Sequence, residues 1–236
     1  MIRWRRIRWN PLWVAAVLVA ATSTSTAGVD PVGATAPRME FLPPAPGSYQ
    51  LQHIQQSPDG TLFDSHAQPI RLAAHTTGKI TLLTFFYTYC MDPWGCPFAH
   101  ETLSTLRQQL LAEPKLAARV RFVSVSFDPT NDTPAALARY GSEFAESERF
   151  EWDFLTARSV PELLPVLEGF GQDVSVQLDA SGHPTRTMHH MLKMFLIDRD
   201  GVVREIYSLA YLQPQVMLND IKTLALEERE SLAAEH

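Results

Sequence analysis

The stretch Ile80-Thr81-Leu82-Leu83-Thr84-Phe85-Phe86-Tyr87-Thr88-Tyr89-Cys90-Met91-Asp92-Pro93-Trp94-Gly95-Cys96-Pro97 decides the reading of this 236-residue chain. Its first eight residues form a near-continuous apolar, β-rich run, the pattern of a strand covered on both faces. The chain's two cysteines follow in the loop. A helical pattern then runs from Pro97 to Leu111, with Leu103, Leu106 and Leu110 at helical spacing and Pro97 suited to a first helical turn. Two thiols between a buried strand and a helix N-terminus make a redox or metal site more readily than a staple. A disulfide closing so short a loop adds little stability, because the gain grows with the length of chain enclosed. A plain buried disulfide is the bland alternative. A thiol at a helix start has its thiolate favoured by the helix dipole and free N–H groups, and Cys96 before Pro97 fits that position. Such a thiolate attacks a disulfide or binds a soft metal.

Downstream, Arg119 to Phe127 is a second β-rich run, and Asp132-Thr133-Pro134 opens a helix carrying Leu137, Tyr140 and Phe144. Val160 to Phe170 reads as a short helix. Val174 to Leu178 and Thr185 to His190 read as strands around the turn Ala180-Ser181-Gly182. Lys193 to Asp198 and Val202 to Tyr207 flank Arg199-Asp200-Gly201, a hairpin signal. Gln213 to Glu230 is a closing helix. Upstream, Ser48 to Ile70 alternates weakly, and its turn Pro58-Asp59-Gly60 suggests an N-terminal β-hairpin. Strand, cysteine loop, helix, strand, helix, then a hairpin and a last helix imply a mixed sheet with helices on both faces. That is an α/β, thioredoxin-like arrangement: a central mixed sheet flanked by helices, extended by an N-terminal hairpin. The cysteines sit at the carboxyl end of a central strand, where α/β folds place their sites.

The first residues read as an export signal. Met1 to Asn10 carries Arg3, Arg5, Arg6 and Arg8 and no acid, then come the apolar run Leu12 to Ala21 and the A-x-A-like Ser25-Thr26-Ala27. The apolar run is shorter than the roughly 20 residues a membrane span needs. The expected organisation is a signal peptide over 1–27, a Pro-, Ala- and Gly-rich flexible arm over 28–47, one domain over 48–230 and a tail over 231–236. The mature chain is then expected to be soluble outside the cytoplasm, in a periplasm, where thiols tend to be oxidised. Loss of the four arginines takes the formal charge from −6 to −10. An acidic exported protein is a poor partner for nucleic acid. With 45% apolar residues the chain can bury a core without disulfides.

The second chemical cluster is Met188-His189-His190-Met191-Leu192-Lys193-Met194. In an extended segment His189 and His190 point to opposite faces, so one of them at a time can face a site. Two thiolates and one imidazole make a soft three-donor set that suits copper, Cu(I) in particular. His100, one turn beyond Cys96, can reach the same site, although a solvent-facing helix position is the plainer reading. The methionines invite a thioether–copper reading, against which stands ordinary core packing. Asp92, Asp128 and Asp132 read as turn and cap residues rather than ligands.

These pieces resemble the SCO/SenC family, thioredoxin-fold copper proteins that help build the dinuclear copper site of cytochrome c oxidase. The matching segments are Phe85-Phe86-Tyr87-Thr88-Tyr89-Cys90, Cys96-Pro97, Val123-Ser124-Val125-Ser126-Phe127-Asp128-Pro129 with Asp132-Thr133-Pro134, then Trp152-Asp153-Phe154-Leu155-Thr156. His190 follows, six residues ahead of Leu196-Ile197-Asp198. The resemblance implies copper, as Cu(I) or Cu(II), held by Cys90, Cys96 and His190. It implies a reversible Cys90–Cys96 disulfide and leaves His189 and His100 as secondary candidates. The implied partner is a copper-site apo-protein such as cytochrome c oxidase subunit II, with other copper chaperones or thiol reductases besides. The chain departs from the family in having five residues between the cysteines rather than three. The expected role is a metallochaperone with no catalytic turnover; the alternative is a thiol-disulfide oxidoreductase acting on a copper-site partner's cysteines. General disulfide reductases usually carry a proline where this chain has Leu192 and two residues between their cysteines. Peroxidase chemistry would need a Thr-x-x-Cys segment, which the chain does not contain.

Overall fold

The computed structural model describes residues 39, 41–142, 144 and 150–234. The expected signal peptide over 1–27 lies outside the described residues. The segment Ile80–Phe86 forms strand β4, and all seven of its residues are buried. It runs parallel to β5 (Val120–Ser126), which runs parallel to β6 (Trp152–Leu155). On its other side β4 pairs antiparallel with β9 (Lys193–Ile197), whose hairpin partner is β10 (Val202–Ser208). The short β1 (Gln55–Gln56) closes the far edge, giving a six-stranded sheet in the order β1-β10-β9-β4-β5-β6.

Alternation along the central strands sends apolar side chains into two cores. One packs Ile80, Leu82, Phe122, Met194 and Leu196 against helix α2 (Cys96–Leu111) and the long helix α6 (Pro214–Ala234), through Leu103, Leu106, Ile221 and Leu224. The other packs Leu83, Phe85, Val123, Val125 and Phe195 beneath α4 (Pro134–Ser142) and α5 (Val160–Gly169), through Leu137, Leu163 and Val166. Each fully buried Leu or Phe contributes about 1.5–3 kcal/mol relative to exposure. A charge placed at Leu82 or Leu83, both with no exposed surface, would break the sheet's centre. Among the described residues, two short helices, α1 (Leu72–Thr76) and α3 (Pro114–Ala117), and a 3-10 turn over Leu209–Tyr211 complete the helical elements.

The Arg199-Asp200-Gly201 hairpin forms as the sequence predicts. Gly201 sits at φ +81°, and the Asp198 carboxylate accepts from the amides of Asp200 and Val202 at 3.0 and 2.9 Å. The other Asp198 oxygen takes a bond from Arg204 at 3.1 Å. Arg204, also buried, donates to the carbonyls of Leu51 and Gln52 and to Glu227. This network ties the start of the domain and α6 to the hairpin.

The N-terminal hairpin differs from expectation. The pair is β2 (Thr61–Phe63) with β3 (Pro69–Arg71), and the turn lies between them rather than at Pro58-Asp59-Gly60. The latter turn separates β1, which joins the main sheet, from β2. Asp59 is occupied in accepting from the amides of Gly60 and Ala73, which anchors the entry to α1. Pro44 and Gly47, at the end of the stretch read as a linker or flexible arm, bond to α6: Asn219 donates to the Pro44 carbonyl at 2.8 Å, and the Gly47 amide donates to Thr223 Oγ1 at 3.0 Å. Among the described residues no helix is long and apolar enough to cross a membrane.

A separate antiparallel ribbon, β7 (Val174–Leu178) with β8 (Pro184–His190), projects before β9. It delivers His190 from its end towards the carboxyl end of β4.

Candidate metal centre

The strand-to-helix loop is fixed at both ends before it reaches its cysteines. Asp132, 1% exposed, accepts from the Thr88 amide at 3.0 Å and from the hydroxyls of Thr88 and Ser126. Ser126 ends β5, so one carboxylate clamps the loop's start to the neighbouring strand. Cys90 donates its amide to the Tyr87 carbonyl, and Gly95 donates to the Asp92 carbonyl, so two turns fold the five intervening residues back. Asp92 also accepts from the Trp94 amide at 3.0 Å. Asp92 and Asp132 thus hold the turns, as read from the sequence. A Cβ on Gly95 would lie 3.0 Å from Cys90 Sγ, so glycine there lets the longer loop bring the sulfur close without crowding it.

Both cysteines are free thiols, Cys90 half-buried and Cys96 buried as the first residue of α2. The sulfurs and a ring nitrogen of His190 lie within 4.8 Å of one another. The imidazole is seated by Phe127, whose ring centroid is 4.7 Å away, and by Tyr87 at 6.3 Å. Gln172 holds the turn after His190 by donating to the Met191 carbonyl at 3.1 Å. His189, the neighbour of His190 on β8, is exposed where His190 is half-buried. Both nevertheless border the same groove, of about 830 Å³.

The electrostatics reverse the sequence expectation for the two thiols. The Cys96 thiol donates to Cys90, and that bond, helped by His190 and by the amides of Cys96 and Asp92, pulls the Cys90 pKa down to about 4 against the cost of its burial. The same bond, together with burial, pushes Cys96 well above the ordinary thiol value. Cys96 has the helix-start position, yet its surroundings raise its pKa while those of Cys90 lower it. Helix position alone misled, because Cys96 is 1% exposed and acts as the donor.

His100 is also placed differently from the solvent-facing position that was the plainer expectation. It is 2% exposed, among Phe86, Tyr140, Phe144, Trp152 and Phe154, and Tyr140 Oη lies 2.6 Å from its Nδ1. Burial depresses its pKa to about 3. It does not border the cysteine groove. A second group of donors, His75, Glu151 and Asp153, comes as close together as the first. Lys79 at 2.7 Å and Arg121 at 3.2 Å already compensate Glu151, and His75 pairs with Asp153 at 2.9 Å. This is an ion-pair network.

Sequence reasoning did not single out Phe127, Tyr87, Gln172 or Gly95. The Val123-to-Pro129 motif was the available signal for Phe127. Tyr87 and Gly95 lie in the quoted cysteine stretch, but their roles show only in the folded contacts with His190 and Cys90, and Gln172 is visible only through its bond to Met191.

The donor set is chemically suited to a soft ion. A metal–sulfur bond is about 2.3 Å, so two sulfurs on one ion lie at most about 4.6 Å apart, and donors that all lie within 4.8 Å of one another are close enough to share an ion with little adjustment. Two sulfurs and one imidazole, one sulfur already ionised, favour Cu(I) or another soft cation over Mg or Ca.

Comparison with known proteins agrees with this reading of the fold. Residues 52–226 match SCO1/SenC, and the chain belongs to that family. It is 30% identical over 168 residues to the mitochondrial Protein SCO2 homolog of Bos taurus, covering 67% of this chain and 56% of that protein. It is 29% identical over 132 residues to the SCO1 protein homolog of Bacillus subtilis, covering 56% of this chain and 63% of that one. The match thus spans less than two thirds of either relative. Among solved structures, Bradyrhizobium japonicum ScoI with copper bound superposes with a TM-score of 0.58 at 26% identity, over 71% of this chain and 98% of that chain.

Proposed function

We propose that this protein is an exported copper metallochaperone that takes up one copper ion at Cys90, Cys96 and His190. It passes the ion to the apo-form of a respiratory copper enzyme, in the first instance cytochrome c oxidase subunit II. The observation that carries the proposal is the convergence of two sulfurs and an imidazole within 4.8 Å at the end of the central strand. The solved copper-bound structure of the Bradyrhizobium ScoI, 26% identical, supports it. Copper delivery is ligand exchange. Cys90 attracts the cation as a half-exposed thiolate. Cys96 joins by releasing its proton, and His190, braced by Phe127, supplies the third donor. The basic, short apolar N-terminal stretch supports export to a periplasm.

A second reading has one observation in its favour. A half-exposed thiolate beside a buried thiol is also the arrangement of an attacking and a resolving cysteine. In that reading the pair becomes a disulfide while a partner's disulfide receives the two electrons and two protons. The two readings separate in one preparation. Stoichiometric Cu(I) should protect both thiols from alkylation, and insulin should be reduced slowly and without turnover. Rapid catalytic reduction of insulin with no copper protection would replace the chaperone reading with the oxidoreductase one.

A further inference from the structure

Four methionines lie near the centre, and their surroundings divide them. Met194 is fully buried in the core, and Met188 packs against the lower core. Met91 and Met191 are 78% and 64% exposed, and both border the cysteine groove. Apolar side chains left in water add nothing to the fold's hydrophobic stabilisation. Each directly follows a candidate ligand, Met91 after Cys90 and Met191 after His190, so the groove takes one from the cysteine loop and one from the segment after β8. The exposed imidazole of His189 borders the same groove.

We infer that Met91, Met191 and His189 form a landing site for Cu(I) at the mouth of the groove, through which the ion reaches Cys90, Cys96 and His190. The inference rests on the copper reading of that groove and adds the route by which the ion enters and leaves. Thioethers are soft, neutral donors that select Cu(I) over hard cations. A neutral set binds more weakly than thiolates, which suits a station that must release its ion. Transfer proceeds by exchange of ligands. A bond forms from a methionine sulfur to Cu(I) as a ligand of the incoming carrier departs. The Cys90 thiolate then displaces a thioether, and Cys96 binds as its proton passes to solvent. Copper remains Cu(I) throughout, and no electrons change hands.

The test is the rate at which the reduced full chain takes Cu(I) from its coloured bicinchoninate complex, followed by loss of colour. Met91→Leu/Met191→Leu should load about tenfold more slowly, because two of the soft donors at the mouth are gone. Both positions are exposed and the exchange nearly conserves volume, so the fold survives. Met194→Leu, in the core, is the control and should load at the wild-type rate. In a selenomethionine-labelled Cys90→Ser/Cys96→Ser variant, selenium-edge X-ray absorption with one equivalent of Cu(I) should show copper as a neighbour of selenium. An unchanged loading rate in the double methionine variant, or no selenium–copper contact, overturns the landing site and leaves the chaperone reading standing. Failure of the wild-type chain to take up Cu(I) at all overturns both.

Discussion

The Cys96 thiol faces the sulfur of Cys90, and this contact, with His190 and the amides of Cys96 and Asp92, makes the more exposed cysteine the acidic one. The pair therefore carries one negative charge across the neutral range, held by a proton that belongs to Cys96.

That proton can be counted. At about pH 8, Cu(I) binding should release one proton per ion from the thiol pair rather than two, because only Cys96 still carries its hydrogen. Calorimetry in two buffers of different ionisation enthalpy measures the number. In the copper-free protein, alkylation at about pH 6 should modify Cys90 and spare Cys96. Reactivity should fall away as the pH approaches about 4, where Cys90 becomes protonated. In Cys96→Ala the loss should begin at higher pH, since the largest acidifying contact is gone.

Gly95→Ala should act through the same sulfur. The new Cβ would stand 3.0 Å from Cys90 Sγ and 3.3 Å from the Asp92 carbonyl oxygen. Relief of that crowding separates the thiols. The Cys90 alkylation profile should move to higher pH and copper affinity should fall about tenfold, with a stability loss of only about 1–2 kcal/mol. The pH profile of alkylation, set beside a urea melt, checks both parts.

Asp132→Ala should be costly. It would remove a buried carboxylate and leave the Thr88 amide and the Thr88 and Ser126 hydroxyls without their acceptor. A loss of about 2–4 kcal/mol is expected in urea unfolding of the copper-free protein. Because Thr88 begins the cysteine loop, copper should bind more weakly in this variant even at temperatures where it remains folded.

His100 predicts an acid sensitivity unrelated to copper. Burial lowers its folded pKa to about 3, so the unfolded chain binds the extra proton first as pH falls below 6.5. The stability is fully present above pH 6.5 and is lost as the pH falls towards about 3. By pH 4 the loss should be about 3 kcal/mol. His100→Leu removes this titration, so its stability should fall less steeply between pH 6.5 and 4 than that of the wild type. Parallel slopes in the two proteins would contradict the burial argument.

The central architecture was legible because its signals are local. Ile80 to Phe86 is apolar throughout, Leu103, Leu106 and Leu110 keep helical spacing, and Arg199-Asp200-Gly201 marks its own turn. The N-terminal hairpin was misplaced because Asp59 resembles a turn residue whether it serves a hairpin or anchors α1. Only Ala73, fourteen positions away, reveals which. The donor types at the centre were visible as residues, and resemblance placed His190 with them. The acidic role of Cys90 was not visible, because it depends on how deeply Cys96 is buried. Met91 and Met191 could not be told from Met194 by sequence; exposure separates them.

The measurement that bears most directly on the central claim is a Cu(I) titration of the reduced protein lacking residues 1–27 against a competing chelator, with Cys90→Ser, Cys96→Ser, His190→Ala and His189→Ala alongside. Tight binding of one ion per chain is predicted, lost in either cysteine variant, weakened in His190→Ala and changed much less in His189→Ala. Tight stoichiometric binding that survives loss of both sulfurs, or equal losses for the two histidines, would contradict the assignment of copper to Cys90, Cys96 and His190.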